Sequence, residues 1–313
     1  MIWVPKRIII TVCFLMMLCS AILHARSAVT YTFSGGRFGD NVLSYCRAKW
    51  ISYVYDIPLL YVPFEYSDQL MMHRLEIHLS QDLINQFEKV VFYKEVNGHI
   101  DPNSNILYVI NFFPESKCER NCTRFPYLFD VDWNNRYFKK LLQRMIAPTA
   151  QLPSMVLPKD QITVAVHARL GTGFDIYPGQ TFVDLVKRAP IKCPPHSFYI
   201  KSIKKLATEF PDKKIYVYIF TDHDNPYEVM QAYEKLIDDQ RITFACRLEE
   251  NKHYLNVIED FFGFTQFDCL IRPDSNFSIV ASKIADYKVL IVPGSMTEIN
   301  GEIIIDPVIE EKK

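Results

Sequence analysis

The chemistry of this chain is densest in one short run, Ile162 to Asp175, ITVAVHARLGTGFD. Its first residues are apolar and β-branched, the pattern of a buried parallel strand. The run then breaks into His167, Arg169 and a loop carrying Gly171 and Gly173. Residues two apart on an extended segment point the same way, so His167 and Arg169 reach one face. A guanidinium beside a loop whose glycines admit close backbone approach suits an anion, most often a phosphate. In open α/β sheets ligands bind at the carboxyl ends of strands, which is where this run ends. Taken alone, His-x-Arg is explained equally well by a surface salt bridge at a strand end.

Two further apolar runs close on polar groups. KIYVYIFT ends in Thr221-Asp222-His223-Asp224, and Arg272-Pro-Asp274-Ser275-Asn276-Phe-Ser278 opens an apolar helix. Asp274 or Ser275 is a natural N-cap, and a helix N-terminus attracts phosphate. Together these put a cation, a carboxylate and a helix N-terminus on one edge of one sheet, which suggests a nucleotide pocket. Near the other end of the chain, VTYTFS runs into Gly35-Gly36-Arg-Phe-Gly39 and then Asp40-Asn41. Strand, glycine turn and helix open a nucleotide-binding type of domain, with Asp40 or Asn41 as the expected N-cap. The dinucleotide fingerprint G-x-G-x-x-G is absent, however, and a plain tight turn into a core helix fits as well.

The elements that must position these residues follow from periodicity. Strands are expected at Val29–Ser34, Pro58–Val62 and Ile106–Asn111, with a charged helical region between Ser80 and Lys94 and a basic-faced helix from Asn134 to Ile146. Three prolines between residues 148 and 158 mark an interdomain linker. Beyond it, strands at Ile162–Ala168, Lys214–Thr221, Arg241–Cys246, Lys288–Val292 and Glu302–Asp306 alternate with helices at Phe198–Glu209, Val229–Asp238, Leu255–Phe262 and Ser275–Ala285. That alternation means βαβ units and parallel sheets covered on both faces. The expected organisation is a leader (1–28), an α/β domain (29–150) and a second α/β domain (155–313).

Composition bounds the function classes. The chain has 313 residues, 49% of them hydrophobic, ten glycines and a formal charge of −1. Sizeable cores are expected, and the lack of a basic stripe argues against nucleic acid. Lys6 and Arg7 precede an uncharged stretch from Ile8 to Leu23, read as a signal peptide or signal-anchor that puts the chain in, on or across a membrane. It is short against the ~20 residues of a usual span. Of eight cysteines, none shows paired zinc spacing; Cys118 and Cys122 form a short disulfide loop if the chain is exported. Asn121 and Asn276 fit the glycosylation sequon.

Residues 35–41, 164–171 and 274–285 resemble, in order, the three motif regions of the GT-B fucosyltransferases: the α-1,2 (glycosyltransferase family 11), α-1,6 and protein O-fucosyltransferases. Gly36 and Gly39 match the first, with Asp40-Asn41 in place of the usual Asn-Gln. His167, Arg169 and Gly171 match H-x-R-x-G, and Ser275, Asn276 and Ser278 match the last. The resemblance implies two Rossmann-like domains and a GDP-fucose donor, with transfer to a glycan or protein hydroxyl by inversion and without metal or other cofactor. It places Arg169 on the β-phosphate and His167 beside the donor. Gly36, Gly39, Asn41, Gly171, Asp222, Ser275, Asn276 and Ser278 would line the nucleotide sugar, Asp222 at the ribose or base. The general base stays open among Asp40, Glu65 and Asp175. Two other readings stand beside it. One is a GT-A transferase holding a metal at Asp222/Asp224 or Asp130/Asp132. The other is an exported two-domain solute-binding protein.

Overall fold

The computed structural model describes residues 26–93, 100–111, 131–171 and 175–310. The expected leader through residue 25, Cys118, Cys122, Asn121, Asp130 and Gly173 lie outside these residues. Among the described residues no helix is long and apolar enough to cross a membrane. The chain divides into two compact units, Met1–Ala147 and Pro148–Lys313.

The first unit is built on parallel strands β1 (Ala28–Tyr31), β2 (Leu60–Tyr61), β3 (Ile77–His78), β4 (Lys89–Tyr93) and β5 (Ile106–Ile110). β1, β5 and β4 form one sheet with β5 central, and β2 pairs with β3. A bridge from Val29 to Leu59 sets the β2 segment beside β1, and Thr30 Oγ1 donates to Leu60 O at 2.8 Å. The carboxyl ends of β1 and β2 are therefore neighbours. α1 (Phe38–Tyr55) is long and largely buried; α2 (Met71–Leu75) and α3 (Gln81–Ile84) are short. α4 (Arg136–Ile146) buries Phe138, Leu142, Met145 and Ile146, a stripe at helical spacing. Its N-cap Asn135 accepts from the amides of Tyr137 and Phe138.

Two expectations fail here. The helix after the glycine turn begins at Phe38, with Arg37 as an extended N-cap and Asp40 in the first turn, so neither Asp40 nor Asn41 caps it. The charged region from Ser80 to Lys94 is not one helix: after α3 the chain extends into β4, KVVFY. The β-branched and aromatic residues of that run favour a pleated surface over a helix.

The second unit is a six-stranded sheet with helices α5 (Phe182–Arg188), α6 (His196–Glu209), α7 (Pro226–Leu236), α8 (Val257–Phe264) and α9 (Asn276–Ile284). Its strands are β6 (Ile162–Ala168), β7 (Ile215–Thr221), β8 (Ile242–Cys246), β9 (Cys269–Ile271), β10 (Val289–Ile299) and β11 (Glu302–Ile309). Their spatial order is β11-β10-β9-β6-β7-β8. All neighbours are parallel except β10 and β11, an antiparallel hairpin. The two-residue tip Asn300-Gly301 has φ of 53° and 80°, the turn that twists with the flanking strands.

Every residue of β6 is buried, because it is central and covered on both faces. From β6 the chain winds outward through β7 to β8, then returns to lay β9 on the other side of β6. The winding direction reverses between β6 and β9. In this architecture such a reversal opens a crevice at the carboxyl ends of the two strands, where ligands bind.

Candidate functional site at the carboxyl edge of the second sheet

His167 is the penultimate residue of β6 and Arg169 follows the strand directly, so both belong to the crevice edge. Arg169 is only 8% exposed, and a buried guanidinium needs partners. Its Nε and Nη2 donate to Asp175 Oδ2 at 3.2 and 2.6 Å, and its Nη1 donates to Ser275 Oγ at 2.9 Å. Burial works against the cation, but the charges of Asp175 and Asp222 outweigh it, and the guanidinium pKa is raised. A guanidinium has five N–H donors. Among the described residues one N–H on each terminal nitrogen is left without an acceptor. The arginine is thus fixed on one flank by a carboxylate and at its tip by a hydroxyl.

Ser275 is the N-cap position of α9, yet its side chain caps nothing in the helix. Its oxygen is turned to Arg169 instead. The positive end of α9 therefore begins beside the guanidinium, across the switch point from β6.

Asp222, the first residue past β7, accepts from the amides of Leu170 and Gly171 at 2.7 to 3.2 Å. This carboxylate, expected at the ribose or base, secures the loop after Arg169. Gly171 has φ of 73°, a conformation that strains any residue with a Cβ. An added Cβ there would also run into the Leu185 side chain of α5. Asn251 Nδ2 in turn donates to Thr221 O and His223 O, each at 2.8 Å, fixing the strand end that bears Asp222. This use of Asp222 competes with the metal-binding role of an Asp222/Asp224 pair. Among the described residues no group of three or more His, Cys, Asp or Glu side chains is arranged to hold a metal ion.

His167 Nδ1 lies 2.8 Å from Ser278 Oγ, and its ring packs against Phe264 and Phe277 at centroid distances of 5.2 and 5.8 Å. It ties β6 to the first turn of α9. Asp175, one of the three candidate bases, pairs with Arg169 at 2.6 Å.

The structure brings His167, Arg169, Gly171, Asp175, Asp222, Ser275 and Ser278 into one contact network, and Asn276 is buried on the first turn of α9. Gly36, Gly39, Asp40, Asn41 and Glu65 belong to the first unit. There the Asp40 side chain folds over Gly36 so closely that a Cβ on Gly36 would collide with it. Three supports escaped the sequence reading. Tyr199 of α6 accepts the Arg169 amide at 3.1 Å, Asn251 sits in an irregular loop, and α5 presents Leu185 to Gly171. Of these only α5 carried a signal, the capping box Thr181-x-x-Asp184.

No protein-family model and no curated protein matches the chain. Among solved structures it is similar to an arginine-to-lysine mutant of Arabidopsis thaliana FUT1 in complex with GDP. That match has a TM-score of 0.51 at 13% identity, over 85% of this chain and 70% of that one. NodZ α-1,6-fucosyltransferase co-crystallised with GDP gives 0.47 at 13% identity over 90% and 98%, and POFUT1 in complex with GDP-fucose gives 0.41 at 11% over 84% and 95%. At these identities the likeness is one of fold alone.

Proposed function

We propose that the protein is a glycosyltransferase that moves fucose from GDP-fucose to a hydroxyl of a glycan or protein, with inversion and without metal. The observation that carries this reading is the placement of Arg169: a buried, pre-oriented guanidinium at the switch point of a parallel sheet, beside the positive end of α9. The FUT1 structure that shares the fold binds GDP, which supports a guanine nucleotide as donor carrier.

In this reading the two remaining N–H groups of Arg169 grip the β-phosphate. Charge grows on that phosphate as the bond to the sugar's anomeric carbon breaks, so a donor fixed in advance stabilises the transition state more than the ground state. Asp175 and Ser275 hold the guanidinium, and Asp222 holds the loop amides that follow it. His167 keeps α9 in register with β6. Arg169 and the α9 terminus together supply the positive charge that a divalent ion supplies elsewhere. The acceptor oxygen attacks from the face opposite the departing diphosphate, which inverts the centre. The stretch from Ile8 to Leu23 would keep the enzyme at the membrane of a compartment supplied with donor.

The test is a titration of the full chain with GDP, UDP, ADP and CMP, followed by donor turnover in EDTA. GDP should bind in preference to the others, and turnover should survive chelation. Arg169→Lys should lower kcat ~30- to 1000-fold, since a point charge cannot reproduce the planar fork. Failure of GDP to bind, or activity lost to EDTA and restored by Mn²⁺, would overturn the reading.

A further inference from the structure

Helix α4 presents to solvent a face that its own stability does not explain. Phe138, Leu142, Met145 and Ile146 are buried, so the opposite face carries Arg136, Tyr137, Lys140 and Arg144, all of them exposed. The helix contains no acidic residue, and the carboxylate just before it, on Asp132, accepts the Asn134 amide. Among the described residues no carboxylate pairs with the three cations. Arg136 stands at the first position of the helix, where the macrodipole is positive and disfavours a cation. Its guanidinium lies over the Tyr137 ring, 4.8 Å from the centroid, and donates to the Tyr137 hydroxyl at 2.9 Å. A local rule broken without an internal carboxylate to compensate marks a surface kept for something outside the chain.

The same face continues onto the last turns of α1. Trp50 stacks on Tyr53 at 5.8 Å, and both rings pack on Phe138 of α4, at 4.9 and 5.5 Å. Beside them Val54 stays 50% exposed and Tyr137 61%. Aromatic rings set among Lys and Arg are the composition of a membrane–water interface. The end of α1 is also where the leader arrives. Its C-cap Asp56 lies 3.7 Å from Arg26 Nη1, and Arg26 comes three residues after Leu23, the last of the uncharged stretch from Ile8. Three residues of chain reach no further than about 11 Å. That stretch is short of the ~20 residues of a usual span, and a weak anchor needs a second signal for lasting attachment. We infer that the exposed α1–α4 face docks on an anionic lipid bilayer, the one entered by the Ile8–Leu23 stretch. Arg136, Lys140 and Arg144 take the headgroup charge, while Tyr53, Val54 and Tyr137 lie at headgroup level.

This inference rests on the membrane placement proposed above and deepens it, and it is independent of the donor chemistry. Each cation brought to an anionic leaflet gains roughly fivefold in affinity, and the gain fades within a Debye length and with added salt. Tethering by the leader turns docking into an intramolecular event at high effective concentration. Three cations then suffice to hold the face down.

The experiment adds the full chain to vesicles of phosphatidylcholine, with or without phosphatidylserine, and labels lysines with an amine-reactive ester that cannot cross the bilayer. Mass spectrometry reads Lys140 against Lys213, an exposed lysine of the second unit. With phosphatidylserine, Lys140 labelling should slow at least ~fivefold relative to Lys213. The protection should vanish at about 0.5 M salt, where the Debye length falls to about 4 Å. Arg136→Glu/Arg144→Gln changes two exposed side chains, so it should melt close to the parent and lose the protection. Equal labelling on both kinds of vesicle, protection that survives salt, or protection intact in the double variant overturns the inference. So does protection by soluble heparin without protection on vesicles, which assigns the face to an acidic polymer. A chain that stays off phosphatidylcholine vesicles overturns anchoring by residues 8–23, while the phosphatidylserine comparison still decides the face.

Discussion

An arginine at the end of a strand binds anions well only if it is already where the anion will be. Asp175 and Ser275 do that for Arg169, and Tyr199 fixes its backbone. The residue types at this edge were legible in the sequence because each closes an apolar run: His167 and Arg169 after β6, Asp222 after β7, Ser275 and Ser278 at the head of α9. Their roles were not, since contacts 51 to 111 residues apart leave no local pattern. Asp222 shows this: its oxygens hold the amides of Leu170 and Gly171, some fifty residues away. Gly171 tests whether that loop must keep its shape. Gly171→Ala combines a positive φ with a clash against buried Leu185. Thermal unfolding should show a loss of about 1–2 kcal/mol, and GDP affinity should fall with it. Unchanged affinity at lowered stability would free the loop from any part in donor binding.

At the scale of elements, the long periodic segments were readable and the short or bent ones were not. β6, β7 and α6 lie within two residues of their expected bounds. β9, three residues long, escaped notice because CLI is too brief to show a period. Yet β9 creates the switch point, so the architectural key to the site was the least visible strand. Glu302–Asp306 was expected to be one more strand of a parallel sheet; the Asn300-Gly301 tip turns it back as an antiparallel edge. The entry of α8 carries a testable ion pair. Arg247 follows β8 and reaches Asp260 at 2.5 Å and Glu259 at 3.4 Å. Burial raises the Asp260 carboxyl to about 6, against the pull of Arg247. The folded chain therefore holds this proton more tightly than the unfolded chain, whose carboxyl titrates near 4. Linkage then makes this group's contribution fall as pH rises from about 4 to about 6, and level off above. Melting temperatures of the parent and Asp260→Asn should diverge in slope across that window. Parallel curves would show that the carboxyl titrates alike in the folded and unfolded chains.

At the scale of the whole molecule, residues 147–160 separate two units that each have their own sheet. The segment forms neither helix nor strand from residue 151 to 160 and leaves Val156 95% exposed. Exposed, irregular backbone between compact units is where proteases cut first. Brief treatment of the native chain should therefore nick it within 147–160. The second unit has reason to survive alone, because its core is internal: Val164, Val166, Ile203, Leu206, Val217, Ile219 and Ile271 pack on one another across β6, β7, β9 and α6. Every contact that fixes Arg169 also comes from this unit, from Tyr199, Asp175 and Ser275. A fragment of residues 148–313 should accordingly fold cooperatively and keep GDP affinity within about tenfold of the parent. A folded fragment that ignores GDP, with affinity residing in residues 26–147, would move the donor site to the glycine turn at Gly36 and Gly39 and leave Arg169 as a structural ion pair.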